Sequence, residues 1–142
     1  MKLIYVTLLT MFSTQVMPST NCAYKIGKDL CADVKFLGEI SRKSDSKFDL
    51  VITDKKGKAI SLEKAPKIHL WMVMEGGHGH GSDPLKITAK DGKYSIENVW
   101  FLMRGNWDIK IEFNYLKKKY NASIPVCIKR KAADSRLGNC KN

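Results

Sequence analysis

Acidic residues are scarce in this chain. Asp and Glu number 14 against 25 Lys and Arg, a formal charge of +11 over 142 residues. An excess of that size points to an anionic partner (a membrane surface, a cell-wall polymer or an acidic protein) or to a solvated, lysine-rich surface at strand ends. The lysines gather at Lys55-Lys56-Gly57-Lys58, Lys117-Lys118-Lys119 and Lys129-Arg130-Lys131. Helical periodicity is missing: past the N-terminal apolar stretch no 3.6-residue repeat runs far enough to make a helix of useful length. There is no internal repeat and no low-complexity tract. No nucleophile stands beside a histidine and an acid, and no glycine-rich phosphate loop opens a helix, so the sequence offers no enzyme mechanism. A nucleic-acid motif is absent too, so neither DNA nor RNA is an expected partner.

The one long apolar run is at the start. Lys2 supplies a positive charge and Leu3 to Phe12 an apolar stretch too short to span a bilayer and stay there. Residues 1–20 therefore read as a signal peptide, with Ser19, Thr20 and Ala23 as small residues for a cleavage site within 19–23. Cys22 lacks the small preceding residue of a lipid-anchor site, so an uncleaved signal is the only membrane tether expected. Export implies a periplasmic or cell-surface location and an oxidising compartment. Cys22, Cys31, Cys127 and Cys140 allow three pairings. The local pairs Cys22–Cys31 and Cys127–Cys140 are favoured, each stapling a terminal segment. Thiolate metal ligation is the rival, against which the wide spacings count.

Short alternating segments fill the rest. Ala32, Val34 and Phe36 share one face of a first strand, and Phe48, Leu50 and Ile52 one face of a second. Asp54-Lys55-Lys56-Gly57 is a turn, and Ala59 to Leu62 a short edge strand. The run Ile68-His69-Leu70-Trp71-Met72-Val73-Met74 is apolar on both parities and reads as a strand covered on both faces, with His69 packed or hydrogen-bonded. Lys90-Asp91-Gly92-Lys93 is a hairpin turn, and a one-residue slip near Asn98 suits a bulge. Beyond it Val99, Phe101 and Met103 continue the alternation. Trp107, Ile109, Ile111, Phe113 and Tyr115 alternate strictly with Asp108, Lys110, Glu112 and Asn114, the clearest half-buried strand. Lys117 to Lys119 form the next turn. Tyr120, Ala122, Ile124, Val126 and Ile128 line the last strand, with Pro125 on the parity that suits an edge. About seven to eight strands with regular turns predict an all-β, immunoglobulin-like antiparallel sandwich.

Several of these features together resemble the YtkA-like/FixH-like family of exported immunoglobulin-like domains. Leu50-Val51-Ile52-Thr53-Asp54 with Gly57 resembles the family's opening strand and turn. Met74 with His78-Gly79-His80-Gly81-Ser82 resembles its Met/His loop, Gly92-Lys93-Tyr94 its hairpin, and Met103-Arg104-Gly105-Asn106-Trp107 its Met-x-Gly-x-Trp motif. The loop departs from the pattern: Glu75 replaces a common proline, one residue is added, and His78 stands near the place of the second methionine. The resemblance implies a small exported sandwich without assigned catalysis, associated with copper handling or oxidase assembly. It places the domain at 47–130, after an N-terminal segment at 21–46 and before a disulfide-held tail at 131–142.

The loop is also where soft donors crowd. Thioether and imidazole suit Cu(I), and imidazole with harder partners suits Cu(II). Glycines flanking His78 and His80 would let both rings converge. The expected metal ligands are Met74, His78, His80 and Met103, with Met72 as a substitute and Glu75 as a hard ligand for Cu(II). Methionine is also adaptable core filler, which is the competing role of Met72 and Met103. Zinc would leave the thioethers unexplained. The expected function is thus a non-catalytic sandwich that binds a metal ion, copper. The alternative is an interaction module contacting a membrane protein assembly or an anionic envelope component. Exposure of Trp71 or Trp100 would favour a third reading, a polysaccharide-binding module.

Overall fold

The computed structural model describes residues 22–42, 45–77, 79–81 and 84–141. Among them ten strands build two antiparallel sheets. The first sheet contains β1 (Tyr24–Ile26), β2 (Leu30–Phe36), β3 (Ser46–Asp54), β6 (Lys86–Lys90) and β7 (Lys93–Val99), in the order β1-β2-β3-β7-β6. The second contains β4 (Lys67–Val73), β5 (Gly79–Gly81), β8 (Gly105–Tyr115), β9 (Lys118–Ile128) and β10 (Arg136–Leu137), in the order β10-β9-β8-β4-β5. Set aside the terminal strands β1 and β10, and the order is that of an immunoglobulin sandwich with one added strand beside the third.

The core lies between the sheets. β8 delivers Trp107, Ile109 and Ile111 to it without exposure, and β3 delivers Phe48, Leu50 and Ile52. Each such side chain contributes roughly 1.5–3 kcal/mol on burial. Phe101 closes one end, edge-on to Trp107 with ring centroids 5.5 Å apart. Antibody domains bridge the two sheets here with a disulfide; in this chain aromatic and branched side chains fill the interior and both disulfides are peripheral. Cys22 pairs with Cys31 and Cys127 with Cys140, so the two local pairings are the ones formed.

The sequence is followed closely at the turns. Asp91 and Gly92 both have positive φ between β6 and β7, as the two-residue hairpin requires. Asp54 caps its turn by accepting from the Lys56 and Lys58 amides at 2.8 and 3.0 Å. Opposite Ser46 and Phe48, the chain from Ile96 to Val99 carries one extra residue, and Asn98 takes φ 60 in that bulge. Pro125 accepts at its carbonyl from Gly138 N–H at 2.7 Å, so its missing donor faces the outer border of β9.

Four expectations are corrected. β4 is buried on one face only: Ile68, Leu70 and Met72 are inside, whereas His69, Trp71 and Val73 are exposed. His69 therefore lies on the outer face of β4. Ala59 makes a single bridge to Thr53 rather than an edge strand. The alternation of β7 stops at Val99, leaving Met103 on the connection to β8. The turn between β8 and β9 uses Leu116 and Lys117, both at positive φ, rather than Lys117 to Lys119.

A methionine-rich end of the sandwich

Strand direction brings Met72, Met74 and Met103, with the backbone of His80, to one end. β4 runs toward that end, with Met72 as its last inward residue. The ladder sets Met72 opposite Trp107 of β8 on one side and opposite His80 of β5 on the other. Past Val73 the chain leaves the strand, exposes Met74 and turns through Glu75–Gly77, where Gly76 takes φ 79. It then returns as β5. His80 is placed by its backbone register alone, and His78 lies outside the described residues.

The Met-x-Gly-x-Trp motif supplies the second half. Trp107 is fully buried and donates from Nε1 to the Met103 carbonyl oxygen at 3.0 Å, which fixes the connection above it. Gly105 lies between them at φ 131, a conformation side-chain-bearing residues rarely adopt. A Cβ at Gly105 would stand 3.1 Å from the Met72 methyl carbon. Met72 thus packs against the backbone that carries Met103, while Met103 itself is about as exposed as Met74, 39% against 37%. Met72 is buried, in keeping with its role as filler, and the two exposed methionines have no such role.

The loop glycines have a packing task that sequence reasoning missed. A Cβ at Gly79 would collide with the Trp71 indole and lie 2.6 Å from the Met72 carbonyl oxygen. Gly79 is therefore required for Trp71 to lie across β5. Lys110 completes that arrangement, with Nζ 4.9 Å from the Trp71 ring centroid. Gly79-His80-Gly81 is an extended edge strand.

Chemically, the end offers thioethers first. Among the described residues no three His, Cys, Asp or Glu side chains group closely enough to hold a metal ion. Glu75 is exposed at the start of its turn. Exposed Leu37, Trp100 and Leu102 share this end, at the tips of β2 and β7. A cavity of about 580 Å³ lies at the opposite end, beside the Cys22–Cys31 disulfide.

A family model described as YtkA-like matches residues 28–112. The chain belongs to the YtkA-like family. The matched stretch begins at the β1–β2 turn and ends within β8, so it contains Met72, Met74, His80, Met103 and the Gly105–Trp107 motif. No curated protein and no solved structure matches the chain. This YtkA-like domain includes β1 and β2 in its first sheet, so these strands before residue 47 belong to the sandwich. No helix among the described residues is long and apolar enough to cross a membrane.

Proposed function

We propose that this YtkA-like protein is an exported, non-catalytic sandwich that binds one copper ion at its methionine-rich end. The supporting observation is the junction at Gly105. It lets Met72 meet the backbone carrying Met103, and the ladder makes His80 the register partner of Met72. Met74, at the exit of the same strand, and His78, one residue before β5, complete the donor set. Thioether with imidazole is a soft combination that fits Cu(I), and a site poor in carboxylates disfavours harder ions. Two disulfides fit an oxidising compartment and support export.

The test is titration of the purified protein with Cu(I) and Cu(II) against a competing chelator. We expect one tight Cu(I) equivalent in the wild type. A His78→Ala/His80→Ala variant and a Met74→Leu/Met103→Leu variant should each weaken it at least tenfold. Weak binding that neither variant changes would overturn the proposal.

A second reading has its own observation. Leu37, Trp100 and Leu102 are at least 39% exposed at the same end, an apolar rim suited to a membrane assembly partner. That adaptor would be indifferent to copper. The polysaccharide reading gains less: Trp71 is exposed, but it lies over Gly79 and takes Lys110 on its ring.

A further inference from the structure

The connection after β2 and the connection after β9 come from distant parts of the chain and meet beside the methionine-rich end. Between them lies a cavity of about 510 Å³ whose lining includes Arg42, Lys129, Arg130 and Lys131. Glu39 is the one acid in the lining. None of the four cations has a carboxylate partner among the described residues. Arg42 is half-buried, and its Nε is fully screened from solvent with no hydrogen-bond partner. A half-buried guanidinium with an unmatched donor is costly, and a charged acceptor at the rest of its fork offsets that cost. Lys129 is fixed at its backbone, where its N–H donates to Ser135 Oγ at 2.9 Å. On the other side, Ser41 N–H donates to Ser46 Oγ at 2.9 Å and secures the chain next to Arg42. The cations are thus carried on two tied-down connections.

We infer that this cavity is an oxyanion site that takes a phosphate group. A planar guanidinium pairs with phosphate oxygens through parallel N–H donors, and the lysines add point charge around it. One carboxylate against four cations leaves the cavity strongly positive. The same phosphate chemistry is presented by free inorganic phosphate and by an anionic lipid headgroup. The site is independent of copper: it shares no side chain with the methionine cluster.

The experiment uses the full chain and four proteins: wild type, Arg42→Gln, Arg130→Gln, and Lys55→Gln/Lys56→Gln at the opposite end as a charge-loss control. Arg130 is exposed, so its variant keeps the fold even if the Arg42 variant does not. Each is titrated with inorganic phosphate by calorimetry and sedimented with phosphatidylglycerol or phosphatidylcholine vesicles. All four share one N-terminus, so differences between them report the cavity. We expect one phosphate equivalent, weakened about tenfold or more by Arg42→Gln, severalfold by Arg130→Gln, and unchanged in the control. The same pattern confined to phosphatidylglycerol vesicles, with weak binding of free phosphate, supports the site and assigns it to the headgroup. Equal weakening in all variants, or binding that Arg42→Gln and Arg130→Gln leave intact, would show diffuse surface charge and overturn the inference.

Discussion

The Trp107 indole N–H and the Met103 carbonyl oxygen are joined at 3.0 Å across Gly105. That bond and the positive φ of Gly105 hold the backbone over which the Met72 methyl packs. Gly105→Ala should cost about 1–3 kcal/mol, from strained backbone and overpacking together. Adding Met72→Ala should recover only the packing share. Urea unfolding of the two single variants and the double variant measures the coupling. Strictly additive costs would mean that Met72 does not sense Gly105.

The contact of Gly79 with Trp71 predicts a local effect. Gly79→Ala should push Trp71 off the sheet, costing about 1–3 kcal/mol. It should also speed amide exchange in β5 ahead of the rest of the second sheet. A Trp71→Ala background should recover only part of the cost, because the Met72 carbonyl oxygen still stands 2.6 Å from the added Cβ. Unchanged exchange in β5 would show that the indole is not held there.

Leu116 and Lys117 occupy a two-residue hairpin turn at φ 48 and 61, where Asn-Gly is the usual choice. Left-handed backbone costs such residues about 1–2 kcal/mol each. Leu116→Asn with Lys117→Gly should therefore raise stability by about 1–2 kcal/mol without moving the core, because Leu116 is 76% exposed. Thermal unfolding checks this; a lower midpoint would mean that the leucine makes a stabilising contact.

Acid should unfold the protein through carboxylates on the first sheet. Hydrogen bonds from Lys86 and Lys47, then their charges, pull Glu97 down to about 2. At Asp49, burial works against the charge. Hydrogen bonds from Lys93 and Ser95 and the charges of Lys93 and Lys35 outweigh it and hold the carboxyl below its ordinary range. Both groups bind protons more tightly when unfolded, so their stabilisation is present above about pH 4.5 and is lost as pH falls toward 2. Urea midpoints between pH 7 and 2 should fall in that window. Asp49→Asn should flatten part of the slope, and salt should reduce the share of solvent-facing Glu97. A midpoint independent of pH there would contradict the ion-pair account.

Much of the sandwich is legible because alternation and turn chemistry are local. The strict period of β8, the Asp91-Gly92 turn, the Asn98 bulge and the two short-range disulfides need no distant partner to be recognised. β4 misleads for the opposite reason. Trp71 is apolar, yet what meets it is an edge strand and the Lys110 ammonium, both fixed only by folding. β1 and β10 are too short to carry a pattern. The turn at Leu116-Lys117 lacks glycine and asparagine, so nothing local announces it. At the candidate site, the methionines and histidines stand out in the sequence, but not the use of Gly105 and Gly79. The meeting of Arg42 with Lys129 belongs to topology alone.

The two disulfides bracket strand pairs at the borders of the sandwich. Cys22 precedes β1 and bonds to Cys31 in β2; Cys127 in β9 bonds to Cys140 beyond β10. Gly27, just after β1, lies against Tyr120 of β9, so both borders flank the same side of the molecule. β1 and β10 are only three and two residues long, and on their own they would hold weakly. Reduction releases both covers and bares the ladder groups of β2 and β9, a ready template for cross-chain pairing. Oxidation therefore does more than stiffen the termini: it clamps a short strand over each of two ladders that would otherwise lie open to another chain.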